Sequence, residues 1–281
     1  ESIAYKSIMG LEDFVEERMT KSLRAIQGRI KGVLNKTIKS GKVPTIREAI
    51  PPATLSGPID SFFSTSDMSR FADQTNPADI LSQNSLITSM GEGGIGSTHA
   101  VKDEVRAFHP SHMGVLDPLA QPEGASIGLS SHLTDAVQKD KNQLKFPVFS
   151  AKTGKRSLLE VGLATDKTIA FPDQYSNLPE GKADFASAPK ARKALVKVRR
   201  GTEMTQVKPS EVDYIFENSA SFFSSTTLLV PFTPNNHANR VLMGDKHINQ
   251  TVALSDPDIP YVQHVIEGKS HGQVIGEKLL T

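Results

Sequence analysis

Apolar residues recur every three or four positions near the start of the chain. Leu11, Val15, Met19, Leu23, Ile26, Ile30 and Val33 share one face of a helix predicted over residues 8–40. Pro44 and Pro51-Pro52 break the pattern, and a shorter helix is predicted near Ile59–Phe63. Ser64 to Gln74 reads as the start of another helical turn, capped by Ser64 or Ser66. Asn76-Pro77 then forces a turn or a fresh helix start. Over residues 141–215 the pattern changes to short β-rich runs separated by turn signals: KFPVFS, SLLEVGLA, KTIAFP, ALVKVRR, EMTQVK and VDYIFE. That rhythm predicts a small antiparallel β domain. Ser224–Phe232 is predicted as a buried strand, with further short strands at Val252–Leu254 and Tyr261–Val265.

Between these regions, Phe71 to Leu129 carries no long apolar run. It packs an Asp73-Gln74 pair, the glycine-rich run GEGGIGS, an HPSHMG element and a PEG turn into one stretch. Such a density of turn residues and polar groups points to a site built from loops. Gly91-x-Gly93-x-x-Gly96 satisfies the dinucleotide-binding string, but Leu86 to Met90 makes a poor strand and Ser97 to Asp103 a poor helix start. No Gly-Lys-Ser/Thr follows, so a P-loop is excluded too. The glycines read better as a flexible loop that approaches another backbone closely.

Composition narrows the class. Of 281 residues 37% are hydrophobic and 22% charged, which fits a globular protein with a modest core. The 20 glycines and 17 prolines fit many turns. With no cysteine, disulfides and thiolate zinc sites are impossible, and a reducing compartment is the natural setting. No stretch approaches the roughly 18 apolar residues of a membrane helix. The net charge of +1 hides an uneven distribution. No acidic residue lies between Glu17 and Glu48, where Arg18, Lys21, Arg24, Arg29, Lys31, Lys36, Lys39, Lys42 and Arg47 fall. Lys190, Arg192, Lys193, Lys197, Arg199 and Arg200 make a second cluster. Each cluster suits a polyanionic partner or a solvated face.

Catalytic constellations are sparse. His109 and His112 lie three apart, but HEXXH is absent and further ligands are scattered at His99, His237, His247, His264 and His271. Structural or phosphate-contacting histidines are the better reading. Asp73, Asp79, Asp103, Glu104 and Glu123 could do acid–base work, yet nothing pairs them, and no GxSxG is present. The residues alone describe a basic-patched protein that binds rather than catalyses.

The order of motifs adds a resemblance. FADQTNPADIL, SMGEGGI, HPSHMG and PEGASIGL, followed by VDYIFENSASFFSSTTLLVPF and NNHANRVLMG, resemble the fork region and its continuation in the β subunit of bacterial-type multisubunit RNA polymerase. That family reads roughly F-M-D-Q-x-N-P, A-L-G-P-G-G-L, H-P-T-H-Y-G, P-E-G-x-N-I-G-L and D-A-N-R-A-L-M-G. The likeness is strong at 58–130 and 210–245, and faint at 141–200. It implies a multidomain α+β fold: residues 1–57 ending the protrusion and lobe region, 58–140 the fork, 141–215 an external β domain, and 216–281 the start of the hybrid-binding domain.

It also implies roles. Arg240 matches an arginine that reaches the incoming nucleotide's phosphates, and Asn239 and Glu123 match its neighbours. Ser66 to Thr88 matches the wall that binds rifamycins and flanks nascent RNA; Arg70, Phe71, Asp73, Gln74, Asn76, Gln83, Thr88 and also Arg106 would face nucleic acid. Gly91, Gly93 and Gly94 would form the fork loop. The catalytic Mg²⁺ would be held by a β′-type partner subunit, so no metal is expected on this chain. The remaining C-terminal part of β, a promoter-specificity subunit, template DNA, nascent RNA and nucleoside triphosphates complete the implied partners. The departures are specific. His237 replaces the acid before A-N-R, Ala125-Ser126 replaces Pro-Asn, and Glu92 replaces a proline. Arg70, Gln83, Leu86 and Thr88 stand where cellular enzymes carry Gln, His, Arg and Ser, which implies tolerance of rifampicin. A kept skeleton with such changes resembles the split β subunits of jumbo bacteriophages, working in the infected host's cytoplasm or packaged in the virion. The alternative is a non-catalytic nucleic-acid-binding or virion structural protein with a polymerase-like fold.

Overall fold

The computed structural model describes residues 2–252 except 42, 44, 67, 177 and 179–188, together with 263–264 and 269–270. The predicted strands at 252–254 and 261–265 therefore lie largely outside the described residues. The chain divides into two compact units. One comprises Ser7–Phe71 with Gly91–Gly93. Its main element is α1, Leu11–Ser40. The Asp13 carboxylate accepts the Gly10 N–H at 2.7 Å at its start, and Gly41 closes it at φ 65°. A capping box of Thr45 and Glu48 starts α2, Ile46–Ala49. α3 runs Ala53–Thr65, and its buried Phe62 stacks on buried Phe14 of α1 with ring centroids 5.6 Å apart. The predicted apolar face is thus real, although Leu11, Met19 and Leu23 remain exposed. α3 begins earlier than the short helix predicted, and no helical turn is found among the described residues of 66–75. The expected caps do not start one there; Ser64 instead closes α3 from within, its hydroxyl donating to the Asp60 carbonyl at 2.8 Å.

The second unit comprises Glu1–Lys6, Ala72–Met90 and Gly94–Thr281. Asn76 caps α4, Pro77–Ser85, with Pro77 at the first helical position, where its missing N–H costs nothing. β1, Leu86–Thr88, follows; α5 is Asp103–Arg106, and β2, Ser130–His132, pairs antiparallel with β1 in the register Leu86↔His132. The stretch expected to be a poor strand is a strand, because its partner lies more than forty residues on and supplies the ladder.

A seven-stranded sheet occupies the middle of this unit. Its members are β3 (Gln138–Asp140), β4 (Gln143–Ser150), β5 (Arg156–Glu160) and β6 (Thr168–Ala170). After the two-stranded ribbon of β7 (Tyr175–Ser176) and β8 (Lys190–Ala191) come β9 (Val196–Arg200), β10 (Glu203–Val207) and β11 (Tyr214–Phe216). The order is β10-β9-β6-β11-β4-β3, with β5 on β4, and every pairing is antiparallel except β6 with β11. The six β-rich runs of residues 141–215 all land in it. Val196, Val198, Val212 and Ile215 are buried on one side. Phe146, Phe216 and Phe222 interlock on the other, Phe216 lying 4.9 Å from Phe222 and 5.8 Å from Phe146. Burial of each such side chain contributes about 1.5–3 kcal/mol.

Beyond the sheet, Ser224–Phe232 is not a strand. Ser224 caps a short helix, α6 (Ser225–Leu228), by accepting the Thr227 N–H at 3.4 Å, and Pro231 then prevents any ladder. Phe232 sits at φ 58°, steadied by the Asn236 amide, which donates to its carbonyl at 3.0 Å. α7, Ala238–Gln250, follows.

Candidate functional site

The chemistry gathers around α7. Val241 and Asp245 point inward, 1% and 4% exposed, while Asn239 and Arg240 in the first turn are exposed. Gly244 lies so close to Val230 that a Cβ there would meet it at 3.0 Å. Arg240 makes no side-chain bond among the described residues, so its donors are open to a ligand beside the positive end of the helix dipole.

The PEG turn is brought to the same helix. Glu123 precedes a 3-10 turn, Gly124–Ser126, and its carboxylate pairs with the ammonium of Lys246 on α7. Arg106 fastens the turn from below. Its Nη1 donates to the carbonyls of Ala125 and Ile127 and its Nη2 to that of Thr98, each at 2.8 Å. Gly128, at φ 71°, lies against Arg106, where a Cβ would come within 2.4 Å of the Arg106 carbonyl oxygen. Both terminal nitrogens of Arg106, expected to face nucleic acid, are therefore engaged by carbonyls of the chain itself.

A buried polar layer lies beneath, and sequence reading missed it. Asp117 is fully buried. One carboxylate oxygen accepts the N–H groups of Leu119 (2.7 Å) and Ala120 (3.2 Å), the other that of Ser224 (2.6 Å). The Asp117-Pro118 dipeptide was the available signal, since such a pair favours a turn closed by its own side chain. Asp245 accepts from the Asn249 amide at 3.4 Å. Burial pushes its carboxyl up; the Thr226 hydroxyl, His132 and Lys246 pull it back, and Asp117 adds to the rise. His132 Nδ1 lies 3.0 Å from the Ser82 carbonyl and 3.2 Å from the Ser85 hydroxyl.

The expected wall falls across the two units: Arg70 and Phe71 go with α1, and residues from Ala72 onward with α7. Arg70, Phe71, Asp73, Gln74 and Thr88 are exposed, Phe71 completely. Asp73 and Gln83 clamp each other, the Asp73 N–H donating to Oε1 at 3.0 Å and Nε2 donating to the Asp73 carbonyl at 2.9 Å. Thr88 accepts from the Ser130 hydroxyl at 2.9 Å. Asn76 uses both ends of its amide. Oδ1 accepts the Asp79 N–H at 2.9 Å, and Nδ2 donates to the carbonyls of Ile248 (2.9 Å), Asn249 (3.1 Å) and Thr251 (2.6 Å) at the end of α7.

The glycine loop is a reversal closed by Met90 bridging Ile95, with the Ile95 N–H donating to the Ser89 carbonyl at 2.8 Å. Gly91 (φ 100°) and Gly93 (φ 80°) make the bend, and a Cβ on Gly91 would strike Met68 Sδ at 2.2 Å; Gly94 does not adopt a positive φ. Glu92 is held at 2.6 Å by Arg18, whose guanidinium lies 4.1 Å above Phe62. Gly91 thus packs against a side chain, that of Met68, and not against the second backbone expected of these glycines.

His109 and His112 build a turn. The His109 Nδ1 accepts the Ser111 N–H at 3.1 Å and the His112 Nδ1 accepts the His109 N–H at 3.3 Å. Burial, helped by the charge of Arg199, pushes His109 down from its ordinary range. Arg199 itself corrects the second basic cluster. It is 1% exposed, packs 5.8 Å from the Phe146 and Phe216 rings, donates to the Pro110 and Ala164 carbonyls, and burial pushes it down to about 10.

Residues 70–138 match the family described as RNA polymerase Rpb2, domain 3. The chain is 31% identical over 246 residues to the DNA-directed RNA polymerase subunit beta of Porphyromonas gingivalis, covering 86% of this chain and 19% of that one. To the same subunit of Kosmotoga olearia it is 32% identical, covering 79% and 19%. To that of Mesostigma viride it is 32% identical, covering 88% and 23%. The chain spans about a fifth of the length of these relatives.

Proposed function

We propose that this chain, a relative of the bacterial-type RNA polymerase β subunit over most of its length, forms the nucleotide-side wall of a DNA-directed RNA polymerase. In that reaction the 3′ hydroxyl of the growing RNA attacks the α-phosphorus of a nucleoside triphosphate. The new P–O bond forms as the bond to the β-phosphate breaks, and pyrophosphate leaves. One observation carries the reading. Arg240 is an exposed guanidinium without a partner among the described residues, at the N-terminus of a helix anchored by buried Val241 and by the Lys246–Glu123 pair. A planar fork of donors there suits the triphosphate and neutralises the charge that gathers on the leaving phosphates. Asn239, beside it, offers an amide to the same ligand.

The carboxylates around α7 are engaged elsewhere. Asp117 is saturated by backbone donors, Asp245 is buried beneath the helix, and Glu123 is paired. That donor set fits a Mg²⁺ held by a β′-type partner, where it would supply charge neutralisation, and not by this chain. Residues 66–88 would flank the nascent RNA, and Arg70, Gln83, Leu86 and Thr88 would make the assembled enzyme tolerant of rifampicin. The same departures support an origin in a bacteriophage with a split β subunit.

The test is Arg240→Ala in the assembled complex. Loss of charged hydrogen bonds worth about 1.5–3 kcal/mol lowers kcat/KM for nucleotide addition roughly ten- to hundredfold, while subunit assembly survives. Unchanged elongation at limiting nucleotide contradicts the role.

A further inference from the structure

Asn76 lies in the wall loop, yet its amide is spent on another element. Nδ2 reaches three consecutive-turn carbonyls, of Ile248, Asn249 and Thr251, at 2.6–3.1 Å. Those carbonyls belong to the last turn of α7 and the residue beyond it, where helix acceptors lack internal partners. Oδ1 meanwhile caps α4 through the Asp79 N–H. One side chain thus ends α7 and begins α4. Lys246, on the same helix, holds Glu123 of the PEG turn. α7 is therefore fixed at its far end by the wall and in its middle by the turn, and its near end carries Arg240.

We propose that Asn76 is a positioning residue for Arg240: it locks the C-terminus of α7 to the start of α4, so that α4 and the nucleotide-side arginine move as one piece. This inference rests on the reading of Arg240 given above. A rigid helix of 13 residues transmits a displacement at its end over its length of about 20 Å, and small misplacement of a positioning group has large kinetic consequences.

Substitution separates the two roles of the amide. Asn76→Asp keeps an oxygen to cap α4, where a negative charge is favourable. It replaces the donor by a second acceptor facing the α7 carbonyls, which repels the negative end of that helix. Asn76→Ser also keeps a cap but cannot reach α7. In the assembled polymerase, with nucleoside triphosphates as the probe, Asn76→Asp is expected to raise KM for nucleotide at least fivefold. Asn76→Ser should raise it less, and assembly of the complex should survive in both. In the Arg240→Ala background, Asn76→Asp should add little further loss, because the group it positions is gone. A KM unchanged in Asn76→Asp, or a loss fully additive with that of Arg240→Ala, overturns the proposal. If Arg240→Ala alone has no effect, the nucleotide role of Arg240 fails instead, and the two failures are told apart by the single variants.

Discussion

Arg106 spends both terminal nitrogens on its own chain, although its residue type and place in the sequence suggest a nucleic-acid contact. Three carbonyls, of Thr98, Ala125 and Ile127, accept from its two terminal nitrogens at 2.8 Å. The planar fork matters, since an ammonium cannot serve carbonyls on both sides at once. Arg106→Ala should lower the stability of the folded protein by about 1.5–3 kcal/mol, seen as a lower thermal midpoint, and Arg106→Lys should not restore it. A midpoint unchanged in Arg106→Ala would return the side chain to the surface role. The same lesson holds for Asn76, Gln83 and Glu123. Sequence identifies them as polar residues in a loop-built region, but their partners lie ten to 175 positions away and no spacing rule reaches that far. Arg240 is the contrasting case, exposed and without a side-chain partner among the described residues, as the proposed role requires. Asp117 and Asp245 escaped because burial of a carboxylate is set by three-dimensional packing, not by neighbours in the chain.

At the scale of elements, the long amphipathic helix and the runs of the β sheet were legible because period and turn residues act locally. β1 and α6 were not. β1 is short and exists through its distant partner, and α6 depends on a serine cap and a proline stop that outweigh an apolar run. α7 carries an electrostatic load that only packing reveals. Asp245 faces Asp117, His132 and Lys246, and burial raises its carboxyl above the usual aspartate range. A raised folded-state value means that its stabilising contribution is fully present below the unfolded value of about 3.9 and is lost as pH rises through the folded one. Asp245→Asn removes that loss. Its thermal midpoint should exceed wild type near neutral pH, about 7, and the difference should close as pH falls toward about 4. A variant less stable at neutral pH than wild type would show that the ionised carboxylate holds the helix.

For the whole molecule, the two units carry different surfaces. The unit of α1 exposes Arg24, Arg29, Lys31, Lys36 and Lys39, none with an acidic partner among the described residues, a band suited to a phosphate backbone. The unit of α7 carries the nucleotide-side candidates. No helix among the described residues is long and apolar enough to cross a membrane. The chain covers about a fifth of the length of the relatives it matches. The proposed function therefore requires partner subunits, and that requirement is open to direct test. The most direct measurement is affinity purification of the tagged chain from cells that make it, with mass spectrometry of the complex and a template-dependent RNA synthesis assay on the eluate. The account predicts large β′-like partners carrying a D-x-D-x-D sequence, and RNA synthesis that requires DNA and nucleoside triphosphates. A chain that elutes alone, binds DNA with steep salt dependence and makes no RNA would contradict it.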